Sequence, residues 1–151
     1  PEIEQLGLDL QTTIDAAPTI GDPRLAKRLV TNLVDNALRH NIAHGYIDTV
    51  TRTQSDQAVL TIANSGPIIP EADIDRLFQP FQRLHSNRTY HADSHGLGLS
   101  IVQSIAAAHG ATLNARADPD GGFQIEVRFP PPPATSSGNG APLIRRGDTD
   151  P

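Results

Sequence analysis

Asp22-Pro23 opens the longest periodic run in the chain, and that run dictates a layered fold. Asp is a preferred helix N-cap, and Pro suits the first helical position. Leu25, Leu29, Val30, Leu33, Val34, Ala37 and Leu38 then recur at three- and four-residue spacing. The spacing predicts a helix over 23–40 with one apolar stripe, ended by Asn41 and Gly45. Such a stripe is stable only when a second layer covers it.

The rest of the chain supplies that layer. Residues 6–14 set Leu6, Leu8 and Leu10 against Asp9 and Gln11, an alternation that predicts a strand after a polar lead-in over 1–5. Residues 46–53 and 57–63 are β-rich, with Ser55-Asp56 as the turn of a hairpin. A short helix is expected over 71–78, stopped by Pro80. Residues 97–109 predict a helix with Gly110 as its cap. Strands over 111–117 and 123–129 are joined by Asp118-Pro119-Asp120-Gly121-Gly122, which reads as a turn. The expected class is α+β: a two-layer α/β sandwich with helices on one face of a mixed, mostly antiparallel sheet. Only six residues are aromatic while 37% are hydrophobic, so the core must be built from Leu, Ile, Val and Ala.

Two segments fit neither layer. Residues 82–96 are polar and without period, as expected of a lid inside the domain 6–130. Residues 131–151 continue a run of four prolines into Ser, Gly, Asn and Thr, and are expected to be a disordered tail. The net charge of −5 argues against general binding to nucleic acid or an acidic membrane. Without Cys there is no disulfide, thiolate metal site or Cys nucleophile. No apolar run approaches the roughly 18 residues of a membrane span, and no signal peptide opens the sequence. The chain starts at Pro and is read as a piece of a larger protein.

Four groups of residues carry chemistry. Asn32, Asp35, Asn36 and Arg39 fall within roughly a 100° sector of the first long helix, beside its apolar stripe. Asn oxygens suit Mg²⁺, and Arg suits phosphate. Ser94-His95-Gly96-Leu97-Gly98-Leu99-Ser100 places two glycines between the polar stretch and a helix, where backbone N–H groups attract phosphate. Ile62-Ala63-Asn64-Ser65-Gly66-Pro67 puts an Asn at a strand exit, able to pair with a base edge or to cap a turn. Leu77-Phe78-Gln79-Pro80-Phe81 holds two of the four Phe residues. Taken singly, each has a plain structural alternative: a polar helix face, a hinge, a turn cap, a plug for the core.

In this order and spacing the four groups resemble the ATP-binding catalytic domain of sensor histidine kinases, within the superfamily that includes gyrase and Hsp90. Asn32 to Asn41 (NLVDNALRHN) resembles that family's asparagine box, Asn64 to Pro67 its first glycine box, and Leu77 to Phe81 its phenylalanine box. His95 to Val102 resembles the second glycine box, and Ile105 to Gly110 the helix end that follows it. The resemblance spans about residues 6–130 and implies the Bergerat ATP-binding fold.

It also implies roles. Asn36 would coordinate Mg²⁺, Asn32 would assist near the phosphates, Arg39 would contact phosphate, and Arg83 would reach the γ-phosphate. His40 would pack against adenine, with Asn64, Gly66 and Ile68 around the base. Gly96, Leu97 and Gly98 would let the lid backbone close on the phosphates. The phosphate acceptor would be a His on a separate dimerisation and phosphoacceptor domain upstream of Pro1. Through that domain a response regulator would be the further partner. The resemblance implies the cytoplasmic portion of a membrane-anchored kinase, with no membrane contact by these residues. Asn32 stands where ATPase and serine-kinase relatives carry a Glu base, and an amide takes no proton. Two departures support an alternative reading as a catalytically weak pseudokinase or docking module: Asn64 where the family has Asp, and Ile68 in place of a Gly.

Overall fold

The computed structural model describes residues 2–80 and 97–134. The expected lid over 82–96, with Arg83 and Gly96, lies outside the described residues, as does the tail beyond residue 134.

Helix α1 (Glu2–Leu6) opens the chain, where a polar lead-in was expected. It takes in Leu6, and Gly7, at φ +60°, turns the backbone out of it. The first strand is therefore shorter than the alternation suggests. It is β1 (Asp9–Ile14), followed by α2 (Pro23–Arg39), β2 (Tyr46–Gln54) and β3 (Gln57–Asn64). A 3₁₀ turn (Glu71–Asp73) leads into α3 (Ile74–Leu77). Then come α4 (Gly98–Ala108), β4 (Thr112–Ala117) and β5 (Phe123–Arg128).

The sheet order is β1-β2-β3-β5-β4, with β1 parallel to β2 and every other pair antiparallel. The β2–β3 hairpin closes through Ser55 and Asp56, both at positive φ. A two-residue loop with that backbone matches the twist of its strands. At the β4–β5 turn the Asp118 carboxylate accepts the Asp120 N–H at 2.9 Å.

The helices cover one face. Leu29, Leu33 and Ala37 of α2 and Leu99, Val102 and Ile105 of α4 pack on Leu60, Ile62, Ile125 and Val127. The opposite face is polar: Glu126 is paired with Arg52 at 3.1 Å and with Arg128 at 2.7 Å. Val59 points to this side yet is 1% exposed, so both faces of the central strand are covered.

Helices α2 and α4 are packed side by side and run in opposite directions. The start of α2 is tied to the end of α4: the Asp22 N–H donates to His109 Nε2 at 3.2 Å. His109 Nδ1 in turn donates to the Ile105 carbonyl at 2.8 Å. The ring meets Phe129 edge-on, with centroids 6.0 Å apart, and Gly21 lies so close that a Cβ there would collide with it. His109→Ala removes two hydrogen bonds and an aromatic contact. It is expected to cost about 1–3 kcal/mol in urea unfolding; an unchanged midpoint would show that the tie does not stabilise the fold.

Asp22 also caps α2, accepting the Arg24 N–H at 2.8 Å. That bond comes first among the causes holding its carboxylate below the usual range, followed by the Arg24 side chain. The cap's contribution is therefore present above the ordinary carboxylate pKa and is lost as pH falls through the lowered one.

Candidate functional site

The antiparallel pair of helices sets the site. From the Asp22–His109 tie, α2 rises about 15 Å to Asn32 and about 21 Å to Asn36, while α4 runs back about 16 Å to Gly98. The start of α4 thus lies at a level between the two asparagines. Asn32 and Asn36 are half-buried beside Leu33 and Ala37, while Asp35 and Arg39 are exposed. Asn32 carries an unusual feature: its Nδ2 is buried and has no hydrogen-bond partner among the described residues. An unpaired buried NH₂ costs about 1–3 kcal/mol.

At the facing end, Leu97 is the N-cap residue of α4, and Gly98 begins the helix. The Ser100 hydroxyl donates to the Leu97 carbonyl at 2.8 Å. No described atom lies within 4 Å of where a Gly98 Cβ would stand. The first N–H groups of α4 have no partner within the helix and lie at the positive end of its dipole.

The exit of β3 closes the third side. Asn64 is 4% exposed and stands in register between Ile47 and Phe123. Its Nδ2 donates to the Ser65 carbonyl at 2.9 Å. The reverse orientation would set two oxygens against each other, so Oδ1 is the atom left free to accept a donor. The Asn in this position therefore still presents an acceptor, as a carboxylate would, but without the charge.

Gly66 brings this exit against α2: a Cβ there would come within 2.5 Å of the His40 carbonyl. His40 is the C-cap of α2, and its N–H donates to the Asn36 carbonyl at 3.2 Å. Although His40 is exposed as a residue, loss of hydration lowers its imidazole pKa first, and the Arg39 charge lowers it further. The ring is thus biased to the neutral form, suited to lie along an uncharged base. Ile68 is 68% exposed, with its Cγ1 beside Gly121.

Residues not singled out as site residues from the sequence hold this corner together. Asn41 Nδ2 donates to the Tyr46 carbonyl at 2.9 Å, and its Oδ1 accepts the Ser65 hydroxyl at 2.7 Å. The Ser65 Oγ accepts the Tyr46 N–H at 2.8 Å. Gly45 fits between Asn41 and Ser65 with no room for a side chain. These bonds fasten the end of α2, the start of β2 and the exit of β3 to one another. The only signal for them in the sequence is the polar Asn just beyond the helix and the Ser just beyond Asn64.

The structure therefore brings Asn32, Asn36, Leu97 and Gly98 to one end of the α2–α4 pair, with His40, Asn64 and Gly66 at the adjoining corner and Arg39 exposed in the last turn of α2. Among the described residues no three His, Asp or Glu side chains gather to hold a metal; the donors available here are amide oxygens. Those suit a hard cation that keeps most of its waters and leans on phosphate.

Comparison with known proteins identifies the family. The family described as histidine kinase-, DNA gyrase B-, and HSP90-like ATPases matches residues 21–133. The sensor protein CutS of Streptomyces coelicolor is 40% identical over 130 residues, which cover 85% of this chain and 31% of CutS. The sensor protein CzcS of Cupriavidus metallidurans is 35% identical over 114 residues, 76% of this chain and 24% of CzcS. The mycobacterial sensor histidine kinase MprB superposes with a TM-score of 0.73 at 27% identity, covering 85% of this chain and 90% of that one. The catalytic domain of histidine kinase ThkA gives 0.69 at 26% identity, covering 85% and 82%.

The chain belongs to this ATPase family and has the ATP-binding catalytic domain fold of sensor histidine kinases. It spans less than a third of the length of CutS and CzcS. No described helix is long and apolar enough to cross a membrane.

Proposed function

We propose that the chain binds Mg-ATP in the recess bounded by α2, the start of α4 and the exit of β3. It would pass the γ-phosphate to a histidine on a separate phosphoacceptor domain of the same kinase, from which a response regulator receives it. The setting would be the cytoplasmic part of a membrane-anchored sensor. The observation that carries the reading is the buried Asn32 Nδ2, which has no partner among the described residues. It lies on the same helix face as Asn36 and nearly level with the start of α4. A fold retains such a cost where a ligand relieves it.

Each residue has a task. Asn36 offers its carboxamide oxygen to the cation, and Asn32 donates its Nδ2 to a phosphate oxygen. Arg39 and Arg83 place guanidinium charge on phosphate, Arg83 at the γ-phosphate. Gly96, Leu97 and Gly98 present backbone N–H groups without side-chain obstruction. The neutral His40 ring packs along the adenine. Asn64 Oδ1 accepts from its amino group, Gly66 permits the base's close approach, and Ile68 flanks it. Bound Mg²⁺ supplies charge neutralisation for the transferring phosphoryl group. No carboxylate stands at position 32 to activate water, whereas a neutral imidazole acceptor needs no base.

Titrating Mg-ATP while following the melting temperature tests binding. At 100 times Kd the stabilisation is about 2.7 kcal/mol. Adding a phosphoacceptor domain should then yield phosphohistidine. No shift at millimolar Mg-ATP, or steady ATP hydrolysis by the chain alone, would overturn the reading.

A further inference from the structure

The sheet ends at β1, and all six residues of that strand are exposed. The Asp9 N–H bonds the Gly45 carbonyl at 2.9 Å, and the Asp15 N–H bonds the Thr51 carbonyl at 3.1 Å. The odd-numbered residues therefore spend their backbone groups on β2. By alternation, the N–H and C=O groups of Leu10, Thr12 and Ile14 point away from the sheet, and no turn or loop backbone bonds to them among the described residues.

Folded proteins usually blunt such an edge with Pro, a bulge or a charge within it. Leu10-Gln11-Thr12-Thr13-Ile14 has none of these and pairs with β2 without interruption. Leu10 and Ile14 are 49% and 68% exposed on the helix-bearing side. Charge appears only at the two ends: Asp9 and Asp15, exposed on the other side of the strand. Asp48, in register with Gln11, adds a third carboxylate to that side.

We propose that this edge accepts an extended peptide strand in antiparallel pairing, with apolar residues at alternate positions between two cationic ones. The apolar residues fall opposite Leu10, Thr12 and Ile14, and three outward-facing residues supply the hydrogen bonds. The cations fall opposite Asp9 and Asp15. The flanking carboxylates also exclude a second copy of the chain. A two-fold pairing that matches Leu10 with Ile14 of the other copy sets Asp9 against Asp15 twice, and like charges directly opposite are destabilising. The site is separate from the nucleotide recess and does not depend on that reading.

The probe is a labelled heptapeptide, Lys-Val-Thr-Val-Thr-Val-Lys, followed by fluorescence anisotropy against the 151-residue chain. Saturable binding is expected, weakening with salt, and the Glu-flanked peptide should bind at least about tenfold more weakly. Asp9→Lys with Asp15→Lys should reverse that preference. Thr12→Pro removes an outward N–H while sparing the bonds to β2, and should abolish binding. N-methylation of the peptide's central Val should do the same without touching the protein. The proposal is overturned if the two flanked peptides bind equally or if the N-methylated peptide binds as well as its parent. It is also overturned if the chain alone dimerises through this edge in a manner that Thr12→Pro removes.

Discussion

Asn36→Ala is expected to abolish the rise in melting temperature caused by Mg-ATP while leaving the chain folded. The side chain makes no hydrogen bond within the described residues, and the bond from His40 uses only the backbone carbonyl. Ala is the better helix former by several tenths of a kcal/mol, so the ligand-free midpoint should stay level or rise slightly. In the wild type, saturating nucleotide should lift it by roughly 5–10 °C. Asn32→Ala sharpens the contrast. It deletes a buried unpaired NH₂ and should stabilise the free chain, yet it should weaken nucleotide binding. Site residues that cost stability are the ordinary trade between function and fold. Equal nucleotide shifts in wild type and Asn36→Ala would remove Asn36 from the site.

Gly122→Ala is expected to be the most damaging single-methyl change available in the described residues. Gly122 is buried and sits at φ +116°, a backbone conformation closed to side chains. A Cβ there would collide with the Asn64 carbonyl and come within 3.1 Å of the Ser65 Cα. Both obstacles are backbone, Asn64 at the end of β3 and Ser65 tied by its N–H to the Tyr46 carbonyl, so neither can swing aside. Strain and overpacking together should cost about 2–4 kcal/mol. Because the colliding atoms belong to the β3 exit, nucleotide affinity should fall as well. Gly110→Ala is the control. Gly110 is also at positive φ, but its nearest contact is Pro130 Cγ at 3.9 Å. Its cost should be near 1 kcal/mol, the left-handed backbone penalty alone. If urea midpoints for the two variants coincide, the close approach at Gly122 carries no energy.

What the sequence made legible is what local period encodes. The cap at Asp22, the stripe of α2 and both hairpins are written in residues near one another, and they lie where expected. Non-local facts were not written there. The strand expected over 6–14 begins only at Asp9, since Leu6 belongs to α1. Its Leu10 remains uncovered because β1 is the edge of the sheet, and strand order is not a local property. Val59 reads as one more apolar residue in its run, yet it is buried on the polar face beneath an Arg52–Glu126–Arg128 cluster drawn from two strands. The family was legible through the order and spacing of the Asn and Gly groups. The bonds joining Asn41, Tyr46 and Ser65 were not, because a polar side chain has no period. Nor did the sequence show that Gly122, more than fifty residues along the chain, packs against the Asn64 carbonyl.

The tie between Asp22 and His109 gives α4 one fixed end, while Leu99, Val102 and Ile105 rest on the core along its length. Its far end, Gly98, is the end that faces the proposed phosphate site. Over an arm of about 16 Å, a tilt of about 5° moves that tip by roughly 1.4 Å, comparable to the difference between a made and a broken hydrogen bond. Small rotations at the tie are therefore magnified where the phosphates would sit, and Leu99 must slide on the core to allow them.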